Sequence, residues 1–108
     1  MTGMNEREAA FEKKFARDAE LRFAVEARCA RLFGLWAAQK LGLGTDQAET
    51  YARNLVAANL EEAGFEDILR PVRADFQAKG VKIAEPEIQQ ALDKASQAAK
   101  EQIMEERP

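Results

Sequence analysis

Between Leu21 and Trp36, apolar side chains return every three or four positions: Leu21, Val25, Cys29, Leu32 and Trp36. That spacing draws one stripe along a helix, and the stripe needs a partner to cover it. Residues 11 to 41 contain no proline and one glycine, Gly34. Before Leu21 the pattern fails. Phe11 and Phe15 lie on nearly the same side, but Lys14, Asp18 and Arg22 project between them and Val25. A helix needs a continuous stripe to sit on a core. The pattern therefore predicts a packed helix preceded by an arm, residues 1–17, flexible or helical. The domain need not bury the arm's two aromatics, and an apolar pair on a helical arm suits a partner's groove. Packing of Phe11 and Phe15 on the bundle's own open end accounts for the spacing equally well.

Three further stripes follow. Ala48, Tyr51, Ala52, Leu55, Val56, Asn59, Leu60 and Ala63 keep helical spacing after Gly42 and Gly44. Thr45 and Asp46 offer capping oxygens, and Glu49 stands where a capping box places its acid. Phe65, Ile68, Leu69, Val72 and Phe76 form the third stripe, with Gly64 before it and Gly80 after it. Pro71 falls inside, and because Ile68 and Leu69 keep the period before it, a kinked or overwound helix is expected. Ile88, Leu92, Ala95, Ala99 and Ile103 form the fourth, opened by Pro86. Strand periodicity extends no further than Val81–Ile83. The expected helices are Asp18–Leu41, Asp46–Ala63, Glu66–Lys79 and Pro86–Glu105. Short connections favour antiparallel neighbours, so the fold class is all-α, a four-helix bundle over residues 18–108. Val25, Leu32, Trp36, Leu55, Leu60, Leu69, Phe76, Leu92 and Ile103 are expected to share its core.

Bulk properties narrow the chemistry. The 108 residues suffice for one core, and the charged fraction of 32% is ordinary for a soluble domain. A net charge of −3 argues against nucleic-acid binding, which leaves a basic footprint. There is no histidine, hence no imidazole base or ligand and no Ser-His-Asp or Cys-His set. Cys29 is alone, so it forms no intrachain disulfide, and a reducing compartment fits. No apolar run is long enough to span a membrane, and the N-terminus lacks an apolar signal core. A cytoplasmic, monomeric protein with no cofactor is expected.

The remaining candidates have ordinary explanations. Glu61, Glu62, Glu66 and Asp67 would suit a cation, but carboxylates also favour helix N-termini. Gly42-Leu43-Gly44-Thr45 lacks the Lys-Ser/Thr of a phosphate loop and reads as a turn. Cys29 sits on the stripe as a small hydrophobe. Arg28, Arg31, Lys40, Arg53, Arg70 and Arg73 interleave with acids as a solvated mixed surface. These readings favour an interaction protein over an enzyme.

The segments FEKKFARDAELRF (Phe11–Phe23), LFGLWAAQKLG (Leu32–Gly42), EEAGFED (Glu61–Asp67) and EQIMEE (Glu101–Glu106) occur in this order along nearly the whole chain. Together they closely resemble the zeta subunit of alphaproteobacterial ATP synthases. The resemblance implies a four-helix bundle that inhibits ATP hydrolysis by the F-type ATP synthase catalytic head. It also implies that the N-terminal arm inserts at a catalytic interface between alpha and beta subunits, meets the gamma subunit and blocks rotation. By position the arm is Met4 to Arg17. Phe11, Lys13, Lys14 and Phe15 match the motif, as do Arg7 and Glu8. Met4 and Asn5 depart from the Phe-Asp start common in the family, and Glu6 replaces a second Asp. The candidate partner-binding residues are Met4, Arg7, Glu8, Phe11, Lys13, Lys14, Phe15 and Arg17. A helical bundle that binds adenine nucleotide weakly as a sensor, or a general helical adaptor, is the alternative reading.

Overall fold

The computed structural model describes residues 19–61 and 65–106, with the side chains of Leu60 and Glu61 left aside. Four helices follow one another: α1 Ala19–Lys40, α2 Thr45–Glu61, α3 Glu66–Lys79 and α4 Glu85–Glu106. No strand occurs among the described residues. The expected boundaries hold to within a residue wherever they fall on described residues.

The turns form as glycine chemistry dictates. Gly42 takes φ 77° after α1. Its N–H donates to the Gln39 carbonyl at 3.0 Å, and the Leu43 N–H donates to the Ala38 carbonyl at 3.0 Å. These two bonds close a Schellman turn and satisfy carbonyls that the helix end leaves open. Gly80, φ 73°, repeats the device after α3, with Val81 donating to the Phe76 carbonyl at 2.8 Å. α3 runs continuously through Pro71. The expected capping box is not formed: the Glu49 carboxylate accepts instead from Arg31 Nη2 at 3.0 and 3.1 Å. α2 starts at Thr45, with the Ala48 N–H donating to the Gly44 carbonyl at 2.8 Å, so Asp46 lies inside the helix and not at its cap.

α1 is the central helix. α2 and α4 both pack along it, and α3 leans mainly on α2. The short connection between Lys40 and Thr45, with Gly34 meeting Ala52 and Ala27 sharing a groove with Val56, makes α2 antiparallel to α1. Arg28–Glu106 and Lys40–Glu87 make α4 antiparallel to α1. Because two helices flank it, α1 carries two buried faces. One holds Leu21, Val25 and Cys29; the other holds Ala30, Gly34, Ala38 and Leu41. The second face is lined by small residues, and there the backbones approach closely. A Cβ on Gly34 would lie 2.9 Å from the Ala52 Cα.

Val25, Leu55, Leu69, Phe76, Leu92 and Ile103 are buried in one cluster, as expected. Leu32 and Trp36 are corrections: both are only partly buried and pack against the cluster from its edge. The bulky centre is Phe33, fully buried, which stacks on Trp36 at 5.5 Å between ring centroids. Trp36 in turn meets Phe76 edge-on at 5.9 Å. The side chain of Leu60 lies outside the described residues.

Candidate partner-binding site

Met4, Arg7, Glu8, Phe11, Lys13, Lys14, Phe15 and Arg17 all lie outside the described residues, as do Glu62 and Gly64. The described fold defines where residues 1–18 join it and what surrounds the junction. Leu21 and Val25 are buried and anchor the first turns of α1 to the core. Arg28, one turn on, fastens the far end of α4. Its Nη1 donates to Gln102 Oε1 at 2.6 Å, and its Nη2 donates to Glu106 Oε1 at 3.0 Å. Beside it, Ala24, Ala27, Val56 and Ile103 floor an open groove, with Arg28, Arg31 and Arg53 around it. Arg28 and Arg31 are already engaged by Glu106 and Glu49.

Phe23 stands on the side of α1 away from the Leu21–Val25 stripe and is 54% exposed, the large apolar side chain most open to solvent among the described residues. Stripe reasoning passes over it, because it falls between stripe positions. Its membership of the FEKKFARDAELRF segment was the available signal. Asn59 is the second surprise. It keeps the α2 stripe and is 2% exposed, yet neither amide atom makes a hydrogen bond.

The other groups stabilise rather than react. Burial, assisted by the Glu26 charge, pushes the Cys29 thiol up to about 12, so a thiolate does not form near neutral pH. Tyr51 Oη donates to Asp75 Oδ2 at 2.7 Å and ties α2 to α3. Burial first, then that bond, raises the phenol above its ordinary value. Arg73 reaches Glu85 through Nε at 3.1 Å and Nη2 at 2.5 Å. The guanidinium bond, then one from Gln89, holds Glu85 below the usual carboxylate range. Glu66 faces Arg73 at 3.9 Å. Among the described residues no cluster of acids, cysteines or histidines could hold a metal, and no helix is long and apolar enough to cross a membrane.

What these surroundings serve is indicated by comparison with known proteins. The family model for the ATPase inhibitor subunit zeta matches residues 1–102. The chain belongs to that family. The match takes in residues 1–18 and the four helices as far as Gln102. A solution NMR structure of a similar protein is 40% identical, with a TM-score of 0.68 over 80% of this chain and 98% of that one. No curated protein matches. A zeta-family chain interacts with the ATP synthase as an ATPase inhibitor.

Proposed function

We propose that this zeta-family chain is a non-catalytic inhibitor of ATP hydrolysis by the F-type ATP synthase catalytic head. Residues 1–17 act as the inhibitory arm and residues 18–108 as its folded carrier. The arm inserts at an interface between alpha and beta subunits, meets gamma and blocks rotation. The observation that carries this reading is the family match across residues 1–102, which includes the arm.

The physical argument runs from the same segment. Among the described residues, the apolar stripe that holds α1 on the core starts with Leu21. Phe11 and Phe15 precede it, separated from it by Lys14 and Asp18. Ordering an arm residue costs about 1–2 kcal/mol of backbone entropy, and burying a phenylalanine returns roughly 1.5–3 kcal/mol. Two aromatics cannot order a dozen residues alone, so ordering is coupled to docking on the partner. Lys13, Lys14 and Arg17 lay their stems over apolar partner surface while their heads reach carboxylates. Arg7, Glu8 and Met4 extend the contact towards the N-terminus. Sequestering the arm's aromatics needs a protein groove, which favours this reading over nucleotide sensing.

The test is binding of the full chain to the isolated catalytic head, compared with Phe11→Ala/Phe15→Ala and Lys13→Glu/Lys14→Glu variants. The aromatic pair should lose most of the affinity, because a few clustered aromatics dominate such interfaces. The lysine pair should slow association and flatten its salt dependence. Wild-type binding by the aromatic variant would refute the arm as the docking element. Saturable micromolar binding of ATP or ADP, with no binding to the head, would favour the sensor.

A further inference from the structure

Phe23 and Asn59 lie on one seam. Gly34 meets Ala52 where α1 and α2 come closest. The helices are antiparallel, so a heptad back from Gly34 and a heptad forward from Ala52 bring Ala27 opposite Asn59. One turn further along α1 the same side carries Phe23. The seam that is covered at Ala30, Gly34 and Leu41 is open at Phe23, which is 54% exposed. Just inside the uncovered end sits Asn59, 2% exposed, with both amide atoms unpartnered. A leucine of nearly the same size would fill that position without stranding a donor and an acceptor. A buried amide is ordinarily paired, and one that is unpaired in the free protein points to a polar partner that arrives later.

We infer that this end of the α1–α2 seam, anchored by Phe23, is a second contact surface for the ATP synthase catalytic head. Asn59 pairs with main-chain groups of the head when the seam is covered. The inference rests on the reading of the arm given above. It commits to that partner because of chain continuity: Phe23 follows Arg17 by so few residues that at most about 20 Å of chain separates them. A head that grips the arm through Arg17 is held beside Phe23. The exposed aromatic then extends the row of arm aromatics onto the folded bundle. A pre-formed bundle surface loses less conformational freedom on binding than the arm does. It therefore acts as the rigid part of a contact whose other part must be ordered.

The experiment titrates ATP hydrolysis by the catalytic head with the full chain and with Phe23→Ala, Phe23→Glu and Asn59→Leu, with a thermal melt of each. Phe23→Ala should raise the half-inhibiting concentration roughly tenfold and leave the melt unchanged, since its ring is mostly in water. Phe23→Glu should raise it further. Asn59→Leu should raise the melting temperature by several degrees and still inhibit less well. That combination, firmer fold and weaker inhibitor, is not expected from a purely structural asparagine. If the wild-type chain inhibits and Phe23→Ala inhibits at the same concentration, the second surface is refuted while the arm stands. If Asn59→Leu keeps full potency, Asn59 has no part in the contact. A Phe23→Ala chain that changes from dimer to monomer in sedimentation would give the surface to a second copy and overturn the assignment. If the wild-type chain leaves hydrolysis untouched, the reading of the arm falls, and this inference falls with it.

Discussion

Replacing Gly34 by alanine sets two opposed effects against each other, and their sizes decide the sign. Alanine is the better helix former by about 0.8–1.0 kcal/mol in a helix interior. At an exposed site the substitution would stabilise α1 by that amount. Gly34 is buried where α1 meets α2, however, and an added Cβ would stand 2.9 Å from the Ala52 Cα, 3.1 Å from Leu55 Cδ1 and 3.3 Å from the Ala52 Cβ. The leucine tip can rotate away, but the Ala52 backbone can move only with α2. Overpacking of this kind costs about 1–3 kcal/mol. The net expectation is a loss of roughly 1 kcal/mol, with a larger loss for Gly34→Val. Urea unfolding followed by circular dichroism measures it, and the midpoint should fall with an unchanged slope. Gly44→Ala is the control, because nothing lies within 4 Å of its Cβ position and its φ is not positive. It should be neutral or gain about 0.4–1 kcal/mol. A gain of about 1 kcal/mol in Gly34→Ala would show that the helices are not in close contact there and would remove the basis for placing Ala27 opposite Asn59.

Phe33→Ala should cost about 3–5 kcal/mol, while Leu32→Ala, at the edge of the cluster, should stay below about 2 kcal/mol; equal losses in denaturant unfolding would contradict the burial pattern. Tyr51→Phe should cost about 1–2 kcal/mol because Asp75 loses a partly buried donor. The phenol's folded value is raised, so its contribution is full below the unfolded value of about 10 and is lost as pH rises above it. Wild-type stability should therefore fall on the alkaline side more steeply than that of Tyr51→Phe, and parallel curves would refute the assignment. Cys29 should resist a thiol reagent at neutral pH and react fully in denaturant; prompt labelling of the folded chain would show that the α1–α4 side opens readily.

The four helices were legible because each has a stripe, a glycine stop or a proline start, and connections too short to hide another element. α1 was read incompletely for a physical reason. A helix flanked on two sides has two faces, and the second uses Ala30, Gly34 and Ala38, whose small side chains hardly register as an apolar stripe. Leu32 and Trp36 have the hydrophobicity of core residues but sit at the margin, lining an open groove beside Ala91, Lys94 and Ala98 of α4. Phe33, one position off the stripe, fills the space between faces. The capping box failed because α2 starts one residue early, at Thr45, which puts Asp46 inside the helix and leaves Glu49 to a cross-helix arginine. For the site, the broken stripe and the resemblance to the zeta subunit point to an arm at residues 1–17, which lie outside the described residues. The sequence did not mark Phe23 or Asn59, whose exposure and burial depend on how the helices pack. Asn59 kept helical spacing and so looked like any other core position, and only its burial without a partner sets it apart.

The central claim is inhibition, and the most direct test is steady-state ATP hydrolysis by the catalytic head from the same organism, titrated with this chain. The account predicts a saturable fall in hydrolysis that reaches a plateau at stoichiometric occupancy. It also predicts that the Phe11→Ala/Phe15→Ala chain, equally stable to heat, needs a far higher concentration to reach the same plateau. Hydrolysis that stays at its starting rate with wild-type chain in large excess would contradict it.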